Sequence, residues 1–254
     1  MKKLVLISIL ISLGAFLKAQ ITEGKIIFKQ QATFKIDSSR FENMTEEKRQ
    51  EAMERIKEFG RQKMVLVFNQ EASLYRDYNV ELDATTDEEW ENSKQQGWWM
   101  MFRPKNSVYV AANDTLKIEQ KEFFGKLFLI KNKKEQPQWK MTGKQETIAG
   151  HLCMNATYQQ NDTTFVSAWF TMQIPVSTGP LGYSGLPGTI LKVDINNGEM
   201  LAEAVKILEV TPEKIEEPTK GKEVTDEEYR EIVRQKMKEM REMYGKGAGK
   251  GFGH

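Results

Sequence analysis

Residues 168–191 read Ala-Trp-Phe-Thr-Met-Gln-Ile-Pro-Val-Ser-Thr-Gly-Pro-Leu-Gly-Tyr-Ser-Gly-Leu-Pro-Gly-Thr-Ile-Leu. The stretch opens as a strand, passes through a segment studded with glycine and proline, and ends in a second strand. Glycine falls at 179, 182, 185 and 188, a run too short for a collagen helix and suited to turns. Leu186-Pro187-Gly188-Thr189 predicts a type II turn, with proline presetting the first central residue and glycine taking the positive φ of the second. The strand that follows then presents Leu191, Val193 and Ile195 on one face and Lys192 and Asp194 on the other. Two readings stay open. The loop fixes how two strands enter a shared core, with Trp169 and Tyr183 as packing. Alternatively Gly185, Leu186, Pro187 and Gly188 form a rigid rim of a ligand cleft whose walls are Trp169, Tyr183 and Leu186.

Outward from this loop the pattern is mainly β. Strands are expected over 21–34, 64–68, 72–78, 107–111, 122–130, 138–141, 146–158, 163–172, 190–195 and 200–210, from runs rich in β-branched and aromatic residues. Asn69-Gln-Glu, Asn132-Lys-Lys-Glu and Gln159-Gln-Asn-Asp162 supply turns, and Asn197-Gly198 is a type I′ hairpin signal. Thr45 caps a helix that Gly60 stops, with Ala52, Met53, Ile56 and Phe59 as its apolar stripe. Residues 83–97 are polar and acidic and read as a surface loop. Repeated hairpins predict one twisted antiparallel sheet over residues 20–210, curled around a helix or against itself. Residues 211–224 form a charged linker with two prolines. Thr225-Asp-Glu-Glu228 matches a capping box, and Tyr229, Val233, Met237, Met240 and Tyr244 make the helix over 225–244 amphipathic. Residues 245–254 form a glycine-rich flexible tail.

The N-terminus addresses the chain for export. Met1-Lys-Lys precedes an apolar run from Leu4 to Leu17, and Ala19 offers a small residue for cleavage, the organisation of a secretory signal peptide over residues 1–19. Its 14 residues would span about 21 Å as a helix, against about 30 Å of bilayer hydrocarbon, so no transmembrane span is expected. No cysteine lies near the junction, which argues against a lipid anchor. Loss of Lys2, Lys3 and Lys18 with the leader moves the formal charge from +1 to −2. That balance leaves no electrostatic footprint for nucleic acid. Cys153 is the single cysteine, so no internal disulfide can form.

Gly185-Leu-Pro-Gly-Thr-Ile190 resembles the signature of the GLPGLI family of exported Bacteroidota proteins, with Thr189 in place of the second leucine. Ile148-Ala-Gly-His-Leu-Cys-Met-Asn-Ala156 is similar to a second segment of that family, with His151 replacing an aromatic, and Ser73-Leu-Tyr75 to a turn after its second strand. The resemblance covers residues 20–210. It implies a sheet similar to the half-barrels of periplasmic lipoprotein carriers, a location in the periplasm or outside the cell, and no agreed activity.

Candidate chemistry is sparse. His151 and Cys153 share a strand face, but a nucleophilic pair also needs an orienting group and an oxyanion site. No Gly-x-Ser-x-Gly, Walker loop, nucleotide fingerprint or zinc spacing occurs, so no enzyme is expected. The expected role is binding, of a small apolar or amphipathic ligand or of a cell-envelope protein, without a cofactor. The alternative is copper(I) handling, with Met237, Met240 and Met243 three apart on a helix and His151, Cys153 and the tail's His254 as further soft or borderline ligands.

Overall fold

The computed structural model describes residues 20–33, 41–42, 44–84 and 105–247. The expected leader over residues 1–19, most of the acidic stretch 83–97 and the end of the glycine-rich stretch lie outside the described residues. The strands are β1 Gly24–Ala32, β2 Arg61–Phe68, β3 Ala72–Asp77, β4 Asn106–Ala111, β5 Leu116–Phe123, β6 Lys126–Lys133, β7 Lys140–Ile148, β8 His151–Asn161, β9 Thr164–Thr171, β10 Thr189–Ile195, β11 Met200–Leu208 and β12 Lys222–Val224. The α-helices are α1 Glu46–Gly60, α2 Val80–Asp83 and α3 Asp226–Gly247. All 12 strands join one sheet in the order β12-β6-β5-β4-β3-β2-β1-β11-β10-β9-β8-β7. The protein is therefore mainly β, as its hairpin pattern predicts. The sheet is open and mixed rather than purely antiparallel, because β12 runs parallel to β6.

Two expected strands are in fact hairpins. The run 122–130 turns at Phe124-Gly125, with φ of 49° and 71°, and the run 146–158 turns at Ala149-Gly150, with φ of 47° and 82°. Both are two-residue loops with positive φ at each central position, the geometry that matches strand twist. Phe124 and Ala149 carry no turn propensity, which is why the sequence hid them. Between β10 and β11 positive φ runs over Asn196, Asn197 and Gly198, at 52°, 53° and 98°, so the expected Asn197-Gly198 turn residues take that conformation within a longer loop than the two-residue one expected.

One sheet face carries the main core. Ile26, Phe28, Met64, Leu66, Phe68 and Tyr75 form its largest cluster, and Ala168, Phe170, Ile190 and Val193 continue it across β9 and β10. On the opposite face Ile27, Val65 and Val67 are covered by Ile215. Of residues 211–224, read from composition as a linker, 211–221 thus lie along the sheet as a strap and Lys222–Val224 form β12. An ion-pair cluster fixes it there. Glu213 accepts from Lys25 (2.7 Å) and Arg76 (2.7 Å), and both cations also bind Asp83, at 3.1 Å and 2.7 Å. The Asn79 N–H donates to Asp83 as well, at 2.8 Å. Burial alone would raise the Asp83 pKa, but these donors outweigh it and hold the carboxyl below its ordinary range. Beyond the strap, β12 extends the sheet edge.

The α3 capping box forms as expected, with Glu228 N donating to Thr225 Oγ1 (3.1 Å) and Thr225 N to the Glu228 carboxylate (2.7 Å). Tyr229 then seats its ring against Phe128, centroids 5.4 Å apart. The α1 stripe behaves differently. Met53 and Phe59 are 41% and 52% exposed, because the helix meets the sheet mainly where Gly60 abuts Ala32.

Candidate functional site

The loop between β9 and β10 is fastened to the sheet by its own backbone. Thr189 N donates to Ile174 O (2.9 Å), Ile190 N to Thr178 O (2.8 Å), and the Thr189 hydroxyl to Val176 O (2.7 Å). With Thr189 N so engaged, the expected type II turn does not close. Instead Gly188 N donates to Leu186 O at 2.8 Å, a γ-turn centred on Pro187. Gly188 is required by close approach: a Cβ there would lie 2.1 Å from Thr171 O, at φ +156°. Leu186 is buried with Ala168, Phe170, Ile190 and Val193, worth about 1.5–3 kcal/mol. Gly185 and Pro187 face outward.

Further back in the loop, Trp139 and Tyr183 hold it from the side. The Trp139 indole N–H donates to Ser184 O (2.9 Å), and its ring lies 6.4 Å from that of Tyr183. Tyr183 donates its hydroxyl to Gln160 Oε1 at 3.2 Å. The 3-10 turn Pro180–Gly182 then reaches across to β4 and β5. A Cβ on Gly182 would meet Val108 Cγ1 at 2.8 Å and Lys117 Cδ at 3.0 Å, and φ there is +79°.

Beneath this bridge lies a cavity of about 290 Å³. Residues from β5 and from β8 both line it, although eight inter-strand steps separate those strands in the sheet order. Flat, they would stand on the order of 38 Å apart at about 4.8 Å per step. The loop-bearing face must therefore curl around the cavity. Its apolar lining is Met64, Val108, Leu181, Ile195 and Met200. A polar row runs beside it: Tyr75 donates to Gln30 (2.9 Å), and Gln30 donates to Gln62 (3.1 Å). Burial raises the Tyr75 and Tyr183 pKa values, with the charges of Asp77 and Glu135 adding to it, so both phenols stay neutral donors. On β5, Glu119 sits between Lys117 (2.9 Å) and Lys121 (2.8 Å). Burial pushes its carboxyl up, but the two ammoniums outweigh that and hold it low.

A family model matches the loop. Residues 158–192, from β8 into β10, match a family described as a protein of unknown function (Porph_ging). No curated protein matches. Among solved structures the chain is similar to PNGF-II in two crystal forms, at 14% and 13% identity and a TM-score of 0.49 in each. The match covers 85% of this chain and 33% of that one, so the chain spans about a third of the length of the structures it matches.

The structure brings Tyr183 and Leu186 together but not Trp169. Alternation along β9 sends Ala168 and Phe170 toward Leu186 and turns Trp169 to the other face, where Lys192 Nζ stands 5.0 Å from its ring centroid. The copper candidates lie on different elements. Met237, 52% exposed, and half-buried Met240 lie on α3, which packs on β6 near one end of the sheet order. His151 and Cys153 lie on β8, near the other end. The side chain of Met243, and all of His254, fall outside the described residues. His151 Nδ1 is 3.0 Å from Ala149 O, and burial pushes the Cys153 thiol up to about 11. Among the described residues no helix is long and apolar enough to cross a membrane, and no group of three or more His, Cys, Asp or Glu could hold a metal.

Sequence reasoning missed the cavity's polar residues. Lys117, Glu119 and Lys121 alternate along β5, and charged residues at period two read as a solvated face. Nothing local signals that a loop some sixty residues later roofs them.

Proposed function

We propose that the protein is a non-enzymatic binding protein of the cell envelope, an exported GLPGLI-family protein that holds an amphipathic ligand beneath the 172–188 loop. The observation that carries this reading is the cavity itself: an apolar floor and a hydrogen-bonded polar row under a loop fastened at both ends. Its volume is at the lower end of small-molecule sites. What favours binding over catalysis is the state of the polar groups. The amides and phenols are bonded to one another, and the interior carboxylate Glu119 is neutralised by lysines. The leader-like N-terminus supports export, and the loop sequence supports the family.

Phenylnaphthylamine, whose fluorescence rises in apolar sites, is expected to bind saturably and to be displaced by decanol. Val108→Phe, which fills the cavity, should abolish both effects; a non-saturable response, or one indifferent to Val108→Phe, would sink the proposal. A second expectation separates the two aromatic candidates. Tyr183→Ala should weaken decanol displacement roughly tenfold, through loss of a buried contact and of the Gln160 hydrogen bond, whereas Trp169→Ala should leave it within about twofold. Equal losses in both variants would place the ligand elsewhere.

A further inference from the structure

We infer that the polar end of the ligand is an anion of one negative charge, held between Lys117 and Lys121. This deepens the binding proposal above and rests on it. Along β5 the alternation sets Lys117, Glu119 and Lys121 on the cavity face. On an open sheet these side chains would be solvated, yet here they are 20%, 12% and 27% exposed.

Their charges do not balance. One carboxylate serves both ammoniums, Oε1 of Glu119 binding Lys117 and Oε2 binding Lys121. The triad is left with one positive charge in excess. Lys121 also stands 5.2 Å from the ring of Tyr229 on α3, which brings no formal charge. The second carboxylate at the cavity, Glu135, is exposed and accepts from Gln160 (2.8 Å) and Tyr158 (3.4 Å). The Gly182 backbone packs close to the Lys117 stem, since a Cβ there would lie 3.0 Å from Lys117 Cδ. A sheltered charge is costly unless it is paired, and an anion between the two lysines supplies the missing partner. The apolar floor of the same cavity then receives the tail. A carboxylate or sulfate on an alkyl chain fits both halves; a neutral alcohol fits one.

The test is displacement of phenylnaphthylamine from the whole protein by decanoate, decyl sulfate, decanol and acetate. Decanoate and decyl sulfate should displace it at concentrations roughly tenfold below decanol. Lys117→Gln and Lys121→Gln should each remove most of that preference, while Lys117→Arg keeps it. The decanol curve and the melting temperature of each variant show that the fold is intact. Equal potency of decanol and decanoate, or a preference that survives both glutamine variants, overturns the inference while leaving the binding proposal standing. Acetate as potent as decanoate also overturns it, since the site would then hold a free anion. Failure of every compound, decanol included, overturns the binding proposal and this inference with it.

Discussion

Asp83→Ala is expected to lower stability by about 3–5 kcal/mol, measured by urea unfolding at neutral pH. The Asp83 side chain is fully buried and neutralises Lys25 and Arg76, themselves only 10% and 16% exposed. Removing it leaves two sheltered cations with Glu213 as their shared carboxylate, and breaking a buried pair on one side costs more than the pair contributes. The same cluster sets the acid limit of the fold. Burial raises the Asp83 and Glu213 pKa values, but hydrogen bonds from Arg76 and Lys25 outweigh it, so both carboxyls titrate below their ordinary range. Groups with folded pKa values below the unfolded ones contribute stability above about pH 4, and that contribution fades as pH falls through the folded values. Wild-type stability should therefore drop below about pH 4, and Asp83→Ala should flatten that limb. An unchanged acid limb would show that the strap is held by something other than these charges.

Gly188→Ala carries the second large effect, about 3 kcal/mol or more. The added methyl would sit 2.1 Å from Thr171 O, and that carbonyl is backbone at the end of β9 and cannot rotate aside. Relief requires lifting the γ-turn, which exposes Leu186 and detaches Thr189 from Ile174. Gly198→Ala is the matched control. Its φ is also positive, at +98°, but the methyl meets nothing within 4 Å, so about 1 kcal/mol is expected. Thermal melts of the two variants should differ clearly, and comparable losses would mean that backbone conformation, not the Thr171 contact, governs the loop.

These two sites show what could be read in advance. The strand character of the chain, the helix starting at Thr45 and the Thr225 capping box follow from local rules, and each forms. The glycine-rich loop was legible as a turn region, but its turn type was not. Thr189 N is captured by Ile174, fifteen residues earlier, and a long-range bond of that kind overrides a local type II preference. The hairpins at Phe124-Gly125 and Ala149-Gly150 escaped because tertiary pairing forces non-glycine residues into positive φ. The strap escaped because its Glu213 finds sheltered cationic partners in Lys25 on β1 and Arg76 on β3. Tyr183 and Leu186 were legible candidates. Trp169 was grouped with them because sequence gives alternation along a strand but not which face a distant loop will cover.

Native mass spectrometry of the protein isolated from its own cells, before dialysis or chelation, tests the central claim most directly. The account predicts a mass excess that dissociates as a small acidic organic molecule and is missing from Val108→Phe. A bare polypeptide mass, or an excess equal to copper alone, would contradict it.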